Sequence, residues 1–333
     1  MFKGRAVEIA GIGAYAPEKV LSNYDLEKIV ETNDEWITTR TGIKERRIAS
    51  DDMTTSDMMT KAAEKAIEKA KIDKSKIQLI IGCTVTPDMM FPSSASLVGK
   101  NLEIKNAGAF DIEAACSGFL YGLAIGSQFI ASGTMDTVLV VAGEKLSSIV
   151  NWEDRSTCVL FGDGAGAAIL RPGKEGHGIL NFHMEADGNF GEALKMPAGG
   201  SAMPASEKTV AEKLHSVKMD GREVFRQAVT KMPESAIISI NELNMKVEDI
   251  DWFIPHQANI RIIDSAAKKL GIPKEKTIVN LQKYGNTSSA SLPLALNEAI
   301  EEGKIKDGDI VLLTAIGGGL AWGSMILKWG HKE

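Results

Sequence analysis

The chain has 333 residues, of which 44% are hydrophobic and 25% charged, and its formal net charge is −6. That length exceeds what a single hydrophobic core usually fills, so two core units are expected. The acidic balance gives no support to bulk nucleic-acid binding, and an acidic partner would need a local basic patch.

The start of the chain, Met1-Phe2-Lys3-Gly4-Arg5, runs into a strand-like segment without a basic leader and cleavage site. Residues 117–133, the longest weakly polar run, are short for a membrane span and carry four glycines. A cytoplasmic protein is the expectation. In chain order, apolar runs predict strands at 7–12, 79–83, 109–112, 138–142 and 167–170. Later strands are expected at 252–254, 277–279, 310–315 and 324–329. Helical periodicity falls between them, at 54–71, 118–131, 221–241, 260–270 and 289–302. Short runs buried on both faces and separated by helices argue a layered α/β protein.

The order repeats. "KIQLIIGCT" (76–84) corresponds to "DIDWFIPHQ" (249–257), "AGAFDIEAAC" (107–116) to "EKTIVNLQKYG" (275–285), and "MDTVLVVAGE" (135–144) to "DGDIVLLTAIGGG" (307–319). Each half closes on a glycine-rich segment and a strand, "FGDGAGAAIL" (161–170) and "GGGLAWGSMILKW" (317–329). Domain duplication accounts for the rhythm. The Pro- and Gly-rich "RPGKEGHG" (171–178) places the boundary between halves 1–172 and 173–333.

Cys83, Cys116 and Cys158 are odd in number, far apart and without CxxC spacing, and no HExxH occurs, so neither a disulfide framework nor a metal site is signalled. Cys116 differs from the other two. It stands at the mouth of "SGFLYGLAIGSQFIASG", a helix apolar or small nearly all round, where unpaired N–H groups and the helix dipole would favour a thiolate. An inert buried cysteine is the competing reading. Three loops following strands of the second half carry what a nucleophile needs: His256 in "FIPHQANIR", Asn286 in "KYGNTSSASLP", and the glycines of "IGGGLAWG". "GIGAYAP" lacks the third glycine of a dinucleotide fingerprint, and "FGDGAGAA" lacks the Lys-Ser/Thr of a P-loop; both are expected to be close-packed turns.

With these segments assembled, the sequence resembles the thiolase superfamily and, within it, the β-ketoacyl-acyl-carrier-protein synthase III family. The resemblance rests on "GIGAYAPEKVLSN", "TNDEWITTRTGIKERRIA", "DIEAACSGFLYGL", "DRSTCVLFGDGAGAAIL", "MDGREVFRQAV", "PHQANIRII", "YGNTSSAS" and "GGGLAWGSMIL", in order over nearly the whole chain. It implies a duplicated, five-layered (αβαβα) α/β fold, usually a homodimer. The activity it implies is a decarboxylating Claisen condensation of a short acyl-CoA primer with malonyl-acyl carrier protein, which initiates fatty-acid synthesis. By the same resemblance Cys116 is the acylated nucleophile, and His256 and Asn286 stabilise the malonyl enolate. The N–H groups of Cys116 and Gly318 would form the oxyanion hole. Trp36, Arg40 and Arg155 would line the coenzyme A entrance, Phe91 would border the acyl pocket, and Arg261 with Lys218 would meet the carrier protein. No metal or redox cofactor is implied. A synthase-III-like acyltransferase of secondary metabolism with another acceptor is the near alternative. A Cys-His-Asn hydrolase or a non-enzymatic carrier-binding protein stands further off.

Overall fold

The computed structural model describes residues 4–330, so the chain start read above, residues 1–3, lies outside them. The apolar runs pair into two sheets. The first holds β1 (Val7–Tyr15), β2 (Leu79–Cys83), β3 (Gly108–Ile112), β4 (Val138–Glu144) and β5 (Gly164–Pro172), in the order β1-β5-β4-β2-β3. Here β2 runs parallel to both neighbours, with Leu79 opposite Gly108 and Val138, while β5 is antiparallel to β1 and β4. The second sheet holds β6 (Gly178–Ala186), β7 (Trp252–Pro255), β8 (Ile310–Gly317) and β9 (Ala321–Lys328), in the order β7-β8-β9-β6. Its β7 and β8 are parallel and its other pairings antiparallel. Placing β6 beside β1, β9 beside β5, β8 beside β4 and β7 beside β2 superposes the two orders.

Among the described residues seven helices have eight or more residues: α1 (Asp34–Thr41), α2 (Thr55–Ala70), α3 (Ser94–Asn101), α4 (Gly118–Ala131), α5 (Gly221–Glu242), α6 (Ile260–Leu270) and α7 (Ser291–Glu301). Apolar content sorts them into layers. Helix α2 buries one stripe, Met58, Met59, Ala62, Ala63, Ala66 and Ala70, and with α3 covers the outer face of the first sheet. Helix α4 has no charged residue and lies with α7 between the sheets, where its Phe119, Leu120 and Leu123 are fully enclosed. Burial of each such side chain contributes about 1.5–3 kcal/mol. Helices α5 and α6 cover the outer face of the second sheet. The result is the five-layered αβαβα sandwich.

The glycines of "GIGAYAP" are explained by this packing. A Cβ on Gly11 or Gly13 of β1 would lie 2.3 Å from the carbonyl oxygen of Ala66 or Ala62, so strand and helix approach at backbone contact. Two expectations need correction. Residues 277–279 form no strand: they make one parallel bridge, Phe253 to Thr277. The Gln257 side chain takes the ladder's place, donating to the Ile278 carbonyl at 3.2 Å and accepting from the Asn280 N–H at 2.9 Å. Conversely β6 is a strand of nine residues that starts at the end of the expected boundary, where no strand was expected. Its Asn181, His183 and Glu185 alternate with Leu180, Phe182 and Met184, a half-buried strand pattern rather than a continuous apolar run. Among the described residues no helix is long and apolar enough to cross a membrane.

Candidate active site

The carboxyl ends of the inner strands of both sheets converge on Cys116. The residue sits in a 3-10 turn, Ala115–Ser117, just ahead of α4, and Ala115 before it is held at φ +45. Its side chain is buried, and two cavities meet at it. The larger, of about 640 Å³, is lined by Cys116, Thr84, Ile112, Leu146, Ser288 and Gly318 among others. The smaller, of about 150 Å³, is lined by Cys116, His256, Asn286, Phe225, Asn259 and Gly317 among others. Phe161 and Leu194 border both. A Cβ on Gly317 would lie 2.4 Å from the Cys116 backbone nitrogen, so the end of β8 presses directly on the turn that carries the thiol. Cys83 and Cys158 are fully buried core residues.

His256 follows β7, and its backbone N–H donates to the Thr314 carbonyl of β8 at 2.8 Å, which fixes it to the sheet. Its Nδ1 lies 2.6 Å from the Ser291 hydroxyl at the start of α7. Burial pushes its pKa down to about 3, so the ring is neutral at physiological pH. A neutral ring with Nδ1 engaged by Ser291 uses Nε2 for any further partner. Asn286 is set from three sides. Its N–H donates to the Leu160 carbonyl, its own carbonyl accepts from the Gly162 N–H, and its Oδ1 accepts from the Ser288 N–H at 2.8 Å. With Oδ1 occupied, the amide nitrogen is left to donate into the cavity. Two neutral donors facing one cavity suit an oxygen that gains negative charge.

The thiol itself departs from expectation. Burial pushes Cys116 up to about 12, the charges of Glu144 and Glu113 push the same way, and a hydrogen bond with Ser288 only partly opposes them. Cys116 precedes α4 rather than lying in its first turn, and burial acts against the thiolate there.

Sequence reasoning passed over Glu144, the last residue of β4. It is fully enclosed, and its Oε2 accepts from the hydroxyls of Thr84 at 3.1 Å and Thr86 at 2.7 Å. Its Oε1 accepts from Ser288 at 3.2 Å and Ser289 at 2.9 Å, and the Val85 N–H donates to the carboxylate at 3.1 Å. Burial still pushes it up to about 7, against those bonds. A carboxylate at the carboxyl end of a fully apolar strand was the available signal.

At the surface the indole of Trp36 on α1 has the guanidinium carbons of Arg40 and Arg155 at 4.7 and 4.9 Å from its ring centroid. A purine stacked between Trp36 and Arg155 would have to open that contact. Arg261, in the first turn of α6, is exposed and lies 5.9 Å from the Phe225 ring, which borders the smaller cavity. Lys218 is half-buried, adjoins the cavity-lining Val217, and its charge acts on Asp154. Phe91 is not brought to either cavity within the chain. Asp88 accepts from the N–H and hydroxyl of Ser56, and the segment beyond it loops outward, leaving Phe91 85% exposed while Met90 lines the larger cavity.

With this geometry established, comparison with known proteins is specific. The family described as 3-oxoacyl-[acyl-carrier-protein] synthase III matches residues 110–188, and its C-terminal counterpart matches 240–329. The chain is 55% identical to the beta-ketoacyl-[acyl-carrier-protein] synthase III of Natranaerobius thermophilus, over 97% of this chain and 99% of that one. It is 54% identical to the protein of the same name from Caldanaerobacter subterraneus subsp. tengcongensis, over 97% and 98%. The crystal structure of 3-oxoacyl-[acyl-carrier-protein] synthase III from Aquifex aeolicus superposes with a TM-score of 0.90 at 50% identity, covering 97% of this chain and all of that one. A priming β-ketosynthase of the R1128 polyketide pathway superposes as closely, at 0.91, but with only 34% identity. Agreement in sequence, fold and full-length coverage makes this chain a member of the 3-oxoacyl-[acyl-carrier-protein] synthase III family.

Proposed function

We propose that this protein condenses a short acyl-CoA primer with malonyl-acyl carrier protein, releasing carbon dioxide and giving the β-ketoacyl-carrier product that starts a fatty-acid chain. The observation that carries this reading is that Cys116, His256 and Asn286 line one cavity, with Gly318 on the cavity that joins it at the thiol. In the first half-reaction the Cys116 sulfur attacks the primer carbonyl, and the N–H groups of Cys116 and Gly318 stabilise the oxyanion until the CoA thiolate leaves. In the second, malonyl thioester loses carbon dioxide. The enolate oxygen that results is stabilised by Nε2–H of His256 and the amide of Asn286, and its carbon attacks the Cys116 thioester. A neutral histidine suits this role because it donates without adding a full charge to an apolar cavity. As written, the chemistry balances without a metal or redox cofactor.

Trp36, Arg40 and Arg155 suit the adenine and phosphates of CoA through stacking and charge. Arg261 and Lys218 provide positive charge for an acidic carrier protein on a chain whose total is negative. Met89, Met90 and Phe91, at 50%, 83% and 85% exposure, form an apolar projection that a second copy in a homodimer would cover. The test is intact mass after incubation with a panel of acyl-CoAs, in wild type and Cys116→Ala, followed by malonyl-carrier protein. Adducts on wild type alone that discharge as β-ketoacyl-carrier product are expected. No adduct from any acyl-CoA would refute the assignment of Cys116, and an adduct that malonyl-carrier protein cannot discharge would refute the acceptor.

A further inference from the structure

The enolate needs donors from both His256 and Asn286, and each of these side chains could instead turn an acceptor toward the cavity. For Asn286 the backbone decides. The Ser288 N–H can only donate, so the atom it meets at 2.8 Å is the Asn286 oxygen, and the amide nitrogen faces away from it. For His256 the partner is a hydroxyl, which can donate or accept. The 2.6 Å contact between Nδ1 and Ser291 Oγ therefore leaves two tautomers open.

The second partner of Ser291 closes the choice. The Gln257 N–H donates to the same Oγ at 3.4 Å, and among the described residues the hydroxyl has no other partner. With a proton on Nδ1, Oγ would receive two N–H groups and its own proton would have no acceptor. Ser291 is 1% exposed and lines neither cavity, so solvent does not supply one. A ring protonated on both nitrogens meets the same objection. With the proton on Nε2 alone, Ser291 donates to Nδ1 and accepts from Gln257, and every group is satisfied.

We propose that Ser291 is a positioning residue that fixes His256 as the Nε2–H tautomer, so that the ring edge facing the cavity is a donor before substrate arrives. The proposal rests on the acyl-transfer reading above, in which that donor meets the enolate oxygen. The frame around the serine is rigid. The His256 N–H is held by the Thr314 carbonyl, and the Gln257 side chain donates to the carbonyls of Pro255 and Ile278 and accepts from the Asn280 N–H, which fixes the direction of its own backbone N–H. Ser291 opens α7, whose Leu292, Ala295 and Leu296 are enclosed between the sheets. Two residues earlier, Ser289 Oγ lies 3.0 Å from the Cys83 carbonyl and 2.9 Å from Glu144 Oε1, which ties the segment to the first half. One short stretch, 288–291, thus occupies the acceptor side of both His256 and Asn286. Donors set in advance need no reorientation as the negative charge develops.

The experiment has two readouts on wild type, Ser291→Ala and Ser291→Thr. The first is the nitrogen-15 spectrum of histidine-labelled protein, with the His256 signals assigned by their loss in His256→Asn. Wild type should carry the proton on Nε2 and none on Nδ1, and in Ser291→Ala the Nδ1 signal should move downfield as its hydrogen bond is lost. The second is single-turnover acylation of Cys116 by acyl-CoA, followed by discharge of the acyl-enzyme by malonyl-carrier protein, both read by intact mass. In Ser291→Ala discharge should slow on the order of 100-fold while acylation keeps its wild-type rate. Ser291→Thr, which retains the hydroxyl, should recover discharge. A proton on Nδ1 in wild type would overturn the proposal, as would wild-type discharge in Ser291→Ala. Equal slowing of both steps would reduce Ser291 to a structural role and overturn it too. The wild-type spectrum decides alone if Ser291→Ala does not fold. A wild type that forms no acyl-enzyme, or whose acyl-enzyme malonyl-carrier protein cannot discharge, would instead refute the acyl-transfer reading, while the spectrum still tests the tautomer.

Discussion

Replacing Gly317 with alanine probes how tightly the two halves must meet at the nucleophile. The new Cβ would lie 2.4 Å from the Cys116 nitrogen, 3.0 Å from the Ala115 Cβ and 3.1 Å from the Ala114 carbonyl oxygen. None of these is the end of a flexible side chain, so the Cys116 turn or the end of β8 must move. Reaching an ordinary contact of 3.4 Å requires a shift of about 1 Å, and misplacement on that scale costs on the order of 100-fold in rate. By transition-state arithmetic this is about 2.7 kcal/mol. Overpacking at the same point lowers stability by about 1–3 kcal/mol. The assay pairs single-turnover acylation of Cys116 with a thermal melt. Gly200→Ala serves as comparator, since nothing lies within 4 Å of its new Cβ. Acylation of Gly317→Ala at the wild-type rate would refute the reasoning, because the Cys116 N–H would then tolerate displacement.

Three further outcomes are expected. Arg46 is fully buried and donates to the carbonyls of Leu21 and Val159 and to Asn23 Oδ1, so Arg46→Leu leaves these acceptors without their donor and lowers stability by about 1–3 kcal/mol for each acceptor left unpaired, read as a fall in denaturant midpoint. In Glu144 the folded pKa is raised from 4.5 to about 7, so its contribution is present below 4.5 and lost as pH rises to 7; in His256 the folded value is lowered from 6.5 to about 3, so its contribution is present above 6.5 and lost as pH falls. Denaturant midpoints against pH should lose the first slope in Glu144→Gln and the second in His256→Asn, and a slope left intact in either variant would contradict the assignment. Trp36→Ala should raise KM for an acyl-CoA roughly 10-fold while leaving a pantetheine thioester, which lacks the nucleotide, little changed.

The layered architecture was legible because its inner elements are apolar on every side. Residues 79–83 became β2 without adjustment, and the helix expected at 118–131 became α4. Cys116 and His256 were legible because each follows a strand of a repeated unit, and such strand ends gather in space; Asn286 was found through the same repeat, although the segment before it only bridges the sheet at Thr277. What escaped was set by side chains rather than by pattern. Gln257 substitutes its amide for a strand ladder at 277–279, and no periodicity encodes that exchange. Strand β6 was overlooked although Asn181, His183 and Glu185 alternate with Leu180, Phe182 and Met184, the period-2 signal of a half-buried strand, because the reading followed continuous apolar runs. Glu144 was missed because its role comes from hydroxyls distant in sequence, those of Thr84, Thr86, Ser288 and Ser289. The helix beside Cys116 was visible in the sequence, but not the enclosure that pushes its thiol upward.

That enclosure bears on what happens to the sulfur between turnovers. Peroxide and small electrophiles attack the thiolate, and a thiol raised to about 12 presents almost none of it at neutral pH. Cys83 and Cys158 are raised in the same way, so none of the three sulfurs offers oxidants an easy target.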